Sequence, residues 1–163
     1  MIDNLDGVDH FLFMKEALKE AKEAGDRGDR PIGCVIVHNG KIISRGSNRY
    51  KTMDSHVEHA EMNAIFNCAS YLKKHSRECI LYTTVEPCVM CLSTIVVSNI
   101  RNVVFAVEDK YMNMTTIIES NPYIKNRLHH YIGGILEEES INLLNTYDPL
   151  TAGVVLTGKL PTL

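Results

Sequence analysis

The sequence predicts an α/β protein in which helices are layered on a sheet. Three observations carry this. Apolar residues recur at helical spacing over residues 10–24, an Asn-Gly pair separates two apolar runs near residue 39, and strand-like and helix-like segments alternate from Ile32 to Val107. A strand–helix–strand–helix–strand order lays helices against a sheet and makes the later strands parallel. The 163 residues suit one compact domain, and 45% apolar content can supply its core. No linker, repeat or low-complexity stretch divides the chain, so residues 1–163 read as a single domain.

The elements follow in order. Phe11, Met14, Leu18 and Ala21 mark a helix over 10–24, with Asp9 as N-cap and Gly25 as stop. Ile32–Val37 is a short apolar strand. His38-Asn39-Gly40 and the following Lys41–Ser44 complete a hairpin. Residues 46–58 are polar and loop-like. A helix is expected from His59 to Tyr71, with Ala60, Ala64, Ile65 and Cys68 on one face. Cys79–Thr84 is a strand, Cys88–Val97 a buried helix introduced by Pro87, and Asn102–Val107 another strand. Residues 108–126 read as irregular, Leu128–Ile132 as a last strand and Ile135–Leu144 as a helix. The tail from Thr146 to Leu163 is apolar without a pattern that places it.

Charged residues make up 23% of the chain and the net charge is −3. That balance suits a globular protein and tilts against one built mainly to grip a phosphate backbone. No apolar run approaches the ~18 residues needed to span a bilayer. The acidic, polar start lacks the pattern of a signal peptide, so a cytoplasmic location is expected. The cysteines are Cys34, Cys68, Cys79, Cys88 and Cys91. An odd number does not read as a disulfide framework. Three fall singly in apolar stretches, as small core residues do. The other two are spaced C-x-x-C.

That pair belongs to a constellation. His59-Ala60-Glu61 and Pro87-Cys88-Val89-Met90-Cys91 each open an expected helix. Two thiolates and an imidazole suit borderline-soft zinc, and the positive end of a helix favours thiolate. Three protein ligands leave a fourth position for water, which zinc acidifies. Glu61 then serves best as a proton carrier. Residues i and i+2 of a helix point in different directions, so Glu61 need not join His59 on the metal. The order H-x-E, then P-C-x-x-C, is the signature of zinc-dependent deaminases.

Over residues 10–145 the chain resembles the cytidine and deoxycytidylate deaminase superfamily. The segments that carry the resemblance are Pro31-Ile32-Gly33, Gly46-Ser47-Asn48-Arg49, His59-Ala60-Glu61, Leu81 through Cys91, and Val103-Val104-Phe105. They are most similar to the branch of tRNA adenosine, guanine and fungal cytosine deaminases. The resemblance implies a three-layer α/β/α fold with a central five-stranded mixed sheet, a homodimer, and hydrolytic release of ammonia from an exocyclic amine. It also implies that Asn48 hydrogen-bonds the substrate base, that the Ala60 amide contacts a base carbonyl or ring nitrogen, and that the Glu86 backbone lies beside the leaving amino group.

Other readings compete. A second H-x-E at His56-Val57-Glu58 places polar Glu61 and Met62 where Ala64 and Ile65 stand in the His59 frame, so His59 is the expected ligand. A redox C-x-x-C would not need His-Ala-Glu upstream, and no second C-x-x-C exists to complete a four-cysteine site. Asn48 also fits a turn. Arg45, Arg49 and Lys51 could hold phosphate or RNA but read first as a solvated loop, and the His129-His130 pair reads as structural. Met112 and Met114 fit a pocket lid or a packed contact equally well.

For the substrate, a free nucleobase or nucleoside is expected ahead of a tRNA adenosine. The run Glu137-Glu138-Glu139 would repel phosphate, and Tyr111, Met112 and Met114 could close over a small base. A catalytically silent binding homologue is disfavoured because every catalytic position is filled.

Overall fold

The computed structural model describes residues 4–161; the first three and last two residues lie outside the described part. Helix α1 (His10–Asp26) starts as expected, with Asp9 Oδ1 accepting the Leu12 N–H at 3.0 Å. It does not stop at Gly25. A Cβ there would sit 2.5 Å from the Tyr147 ring, so Gly25 is a packing glycine inside the helix. Strands β1 (Gly33–His38) and β2 (Lys41–Ser47) form the antiparallel hairpin. Asn39 and Gly40 both have positive φ, 50° and 71°, as a tight primed turn requires.

The helix expected over His59–Tyr71 is two helices, α2 (Ala60–Asn67) and α3 (Ala69–His75). The break falls at Cys68, with φ −130° and ψ 23°. Its N–H bonds Ile65 O, a tightened last turn, and the change of direction brings Leu72 into the same core as Ile65. A 3-10 turn (Ser76–Glu78) leads into β3 (Cys79–Val85), followed by α4 (Val89–Val97) and β4 (Asn102–Val107).

Residues 108–126, expected to be irregular, hold two short helices, α5 (Met114–Ser120) and α6 (Pro122–Lys125). The first begins from a left-handed Asn113 and is rich in β-branched residues, so local propensity hides it. The second carries a readable signal. Asn121 caps it and Pro122 fills its first position. Strand β5 (His130–Ile132) and helix α7 (Glu137–Tyr147) follow. The unplaced tail forms α8 (Pro149–Thr157), capped by Asp148 and ended by Gly158 at φ 70°.

The strand order is β2-β1-β3-β4-β5. The β1 pairings are antiparallel, and β3–β4 and β4–β5 are parallel. This is the expected five-stranded mixed sheet. Successive strand residues divide between its faces. Val35, Val37, Ile80, Tyr82, Val104 and Ala106 pack with α1, α7 and α8. Cys34, Ile36, Cys79, Leu81, Val103 and Phe105 pack with α2, α3 and α4. Cover on both faces explains why these strands read as unbroken apolar runs. A smaller cluster joins Leu92 and Val96 to Met114 and Ile124.

Helix α2 lies directly on β2. A Cβ at Gly46 would stand 2.2 Å from Ala60 O and 2.5 Å from Ala64 N, both backbone atoms. Ser44 Oγ donates to Ala64 O at 2.7 Å, and Asn63 Nδ2 donates to Ser47 O at 3.0 Å, fixing the same contact. Gly46→Ala is therefore expected to lower the unfolding free energy by about 1–3 kcal/mol in chemical denaturation. Gly153→Ala is the control. It sits in α8 with nothing within 4 Å of the new Cβ, and should be neutral or stabilising.

Candidate metal centre and active-site pocket

The pocket lies beyond the carboxyl ends of β3 and β4, where ligands of α/β sheets gather. Two helix starts meet there. His59 is the residue before α2 and Cys88 the residue before α4. Both have extended backbone, and neither side chain caps its own helix. The imidazole and the thiol are thereby free to face one another. One turn into α4, Cys91 turns to the same point and is fully buried.

His59 Nδ1 lies 3.5 Å from Cys88 Sγ and 3.5 Å from Cys91 Sγ, and the three ligand atoms all fall within 4.8 Å of one another. A tetrahedral centre with ~2.3 Å bonds to sulfur and ~2.0 Å bonds to nitrogen sets such atoms roughly 3.6 Å apart. The donor set and the His–Cys spacings fit zinc. A hydrogen bond from Cys91 and the nearby His59 pull the Cys88 thiol down to about 4, against the opposing effect of its desolvation. The same hydrogen bond and burial push the Cys91 thiol up, so Cys88 is the acidic member of the pair.

Glu61 stands in the first turn of α2, 3% exposed. Thr83 Oγ1 donates to its Oε1 at 3.1 Å, while its Oε2 lies 3.5 Å from Cys91 Sγ. Burial raises its carboxyl above the ordinary range. Asn48 is buried at the end of the hairpin. Its Oδ1 accepts the Tyr50 N–H at 3.0 Å, and it also lines the pocket. The turn reading and the pocket position therefore coexist. Ala60 is buried at the first position of α2.

Glu86 lines the pocket, and its carboxylate is held on both oxygens. Tyr131 Oη donates to Glu86 Oε1 at 2.8 Å, and the Asp109 N–H donates to Oε2 at 2.9 Å. Asp109 in turn accepts from the Tyr111 and Met112 amides, so one carboxylate pair shapes the loop after β4. Burial raises both carboxyls.

The cavity measures about 90 Å³ and is also lined by residues for which the sequence suggested no role in a site. Arg30, Ile32, Val85 and Asp109 line it, as do Thr151 and Val155 of α8. Arg30 stacks over the Tyr50 ring at 4.4 Å. The α8 residues carried no motif to mark them. The methionines divide: Met112 lines the pocket, whereas Met114 is buried in the cluster under α4. His56 packs edge-on to Tyr50, outside the ligand set. His130 bonds Asn102 and His129 pairs with Arg101, both structural roles. Arg45 is held by Glu16 and Glu20. Cys34, Cys68 and Cys79 are buried free thiols.

Residues 8–107 match the family described as the cytidine and deoxycytidylate deaminase zinc-binding region. The chain is 38% identical over 140 residues to a tRNA-specific adenosine deaminase of Bacillus subtilis, covering 83% of this chain and 86% of that one. A solved structure from work on A-to-I editing by tRNA:A34 deaminases aligns with a TM-score of 0.73 and 32% identity, over 82% of this chain and 99% of that one. The guanine deaminase of Bacillus subtilis aligns with a TM-score of 0.57 and 36% identity, over 69% and 70%.

Cys88→Ala is expected to lose bound zinc, read by elemental analysis of dialysed protein, because two remaining ligands no longer enclose the ion. Cys34→Ser, which lies outside the ligand set, should retain it.

Proposed function

Because the chain belongs to the cytidine and deoxycytidylate deaminase zinc-binding family, in which it is a hydrolase acting on a C–N bond, we propose that it converts adenosine to inosine in a tRNA anticodon loop. The observation that carries this substrate is the extent of likeness to the tRNA-specific enzyme, 83% of the chain, which reaches beyond the zinc-binding region. This reverses the order expected from sequence, where a free base stood first. The acidic run behind that expectation has a local explanation. Glu137, Glu138 and Glu139 fill the first turn of α7, where carboxylates meet the positive helix end.

His59, Cys88 and Cys91 hold the zinc, which when bound supplies the Lewis acidity that makes water a usable nucleophile. Glu61 moves the protons. Thr83 fixes Oε1, leaving Oε2 on the side of the ligand cluster. Oε2 takes a proton from the attacking water as its oxygen bonds the amino-bearing carbon, and delivers it to the adjacent ring nitrogen; it then takes the second proton from the new hydroxyl and gives it to the amine, so that the C–N bond breaks, the carbonyl forms and ammonia leaves. A carboxyl raised by burial exchanges protons near neutral pH more readily than an ordinary one. Asn48 and the Ala60 amide orient the base, and the Glu86 backbone lies beside the leaving amine. The reading includes a cytoplasmic homodimer, for which exposed Phe66 of α2 and Val97 of α4 offer apolar surface.

A second reading, deamination of a free aminopurine or aminopyrimidine, is favoured by one feature. Met112, Thr151 and Val155 line a cavity of only about 90 Å³, a size that suits a small ligand.

Purified protein should convert adenosine to inosine in an anticodon stem-loop, and should leave free guanine, cytosine, adenine and cytidine unchanged. Ammonia release from a free base with no conversion of the stem-loop would establish the second reading instead. Glu61→Ala should keep its zinc and lose roughly 10²–10⁴-fold in turnover. Full activity in that variant would exclude Glu61 as the proton carrier.

A further inference from the structure

A second cluster of metal-ligating side chains stands at the other end of the sheet. His38 closes β1 and pairs in register with Cys79, the first residue of β3. The zinc ligands lie beyond the last residue of that same seven-residue strand, so the two clusters are separated by roughly 20 Å at the usual rise per residue. His75 comes from the end of α3, and Glu78 from the 3-10 turn. Their ligand atoms, with that of His38, all lie within 4.8 Å of one another.

We propose that His38, His75 and Glu78 bind a divalent ion of the borderline class, such as zinc. The donor chemistry is two imidazoles and a carboxylate, a set that suits zinc, cobalt or nickel better than calcium or magnesium. His38 is 7% exposed, and its ring is aimed into the cluster. Its Nε2 lies 3.0 Å from Glu78 Oε2, and its ring stacks on that of His75 with centroids 5.1 Å apart. Two donors on a tetrahedral ion with ~2.0–2.1 Å bonds stand about 3.3 Å apart. The His38–Glu78 spacing is within a few tenths of an ångström of that, which the half-exposed Glu78 can give, and the His75 donor lies within 4.8 Å of both.

The other nitrogen of His38 supports the same assignment. Its Nδ1 lies 2.7 Å from Tyr71 Oη. A metal-bound histidine characteristically donates its second N–H to an oxygen, which fixes the tautomer and points the remaining lone pair at the ion. Tyr71 stands in that position, on the same helix as His75. None of these residues lines the deaminase pocket.

The test is a zinc titration of the holoprotein, its catalytic zinc already bound, against a chromophoric chelator. The wild type should take up a second equivalent per chain. Both His75→Gln and Glu78→Gln should lose it while keeping the first equivalent and full deaminase activity. Tyr71→Phe should weaken the second site roughly 10–100-fold. No uptake by the wild type beyond the catalytic equivalent would overturn the proposal, the cluster then being a hydrogen-bonded His38–Glu78 pair. Unchanged uptake in both His75→Gln and Glu78→Gln would overturn it as well.

Discussion

The starts of α2 and α4 must meet within bonding distance of one ion, and the rest of the structure is arranged around that constraint. Each helix delivers its ligand from the residue just before its first turn, where the backbone is extended and the side chain is free of capping. For the two starts to converge, α2 must lie hard against β2, and α4 must follow β3 without a long connection. Gly46 permits the first, since no side chain could separate it from the Ala60 carbonyl. Glu86 and Pro87 provide the second. The parallel pairing of β3 with β4 then sets the loop carrying Asp109 beside the same point.

The deaminase centre was legible in the sequence because its chemistry is compressed into two short segments. Residue type, spacing and the helices they begin pointed to His59, Cys88 and Cys91, which the structure brings together, with Glu61 beside them. The strands could be read for a different reason. Burial on both faces leaves a continuous apolar signature that is hard to mistake. Gly25 misled because glycine as a helix stop and glycine as a packing contact look alike in sequence. The distinction depends on Tyr147, far along the chain. The break at Cys68 was hidden for a similar reason, since it follows from where Leu72 finds its core.

The pocket walls were less legible. Asp109, Thr151 and Val155 reach the cavity through tertiary packing and carry no local pattern. Helix α8 is apolar on nearly every side, so it lacks the periodicity that marks a surface helix. The acidic run of α7 was readable as charge but not as position. Seen alone it suggests repulsion of phosphate; placed in a first turn, it complements the helix that it begins. Charge counted along a sequence says little about a partner until the element that bears it is known.

Helix α8 has a consequence for how such a catalyst can be altered. It is anchored in the core through Ala152 and Val155, yet Thr151 and Val155 also face the cavity. The metal ligands come from α2 and α4, on the opposite side of the sheet. The ligand cluster and the part of the wall supplied by α8 are therefore built from separate layers, with separate packing partners. Replacing the last helix would remodel the shape offered to a base while leaving the ligand geometry intact. One part of the pocket wall and the ligand cluster thus stand on opposite sides of one sheet.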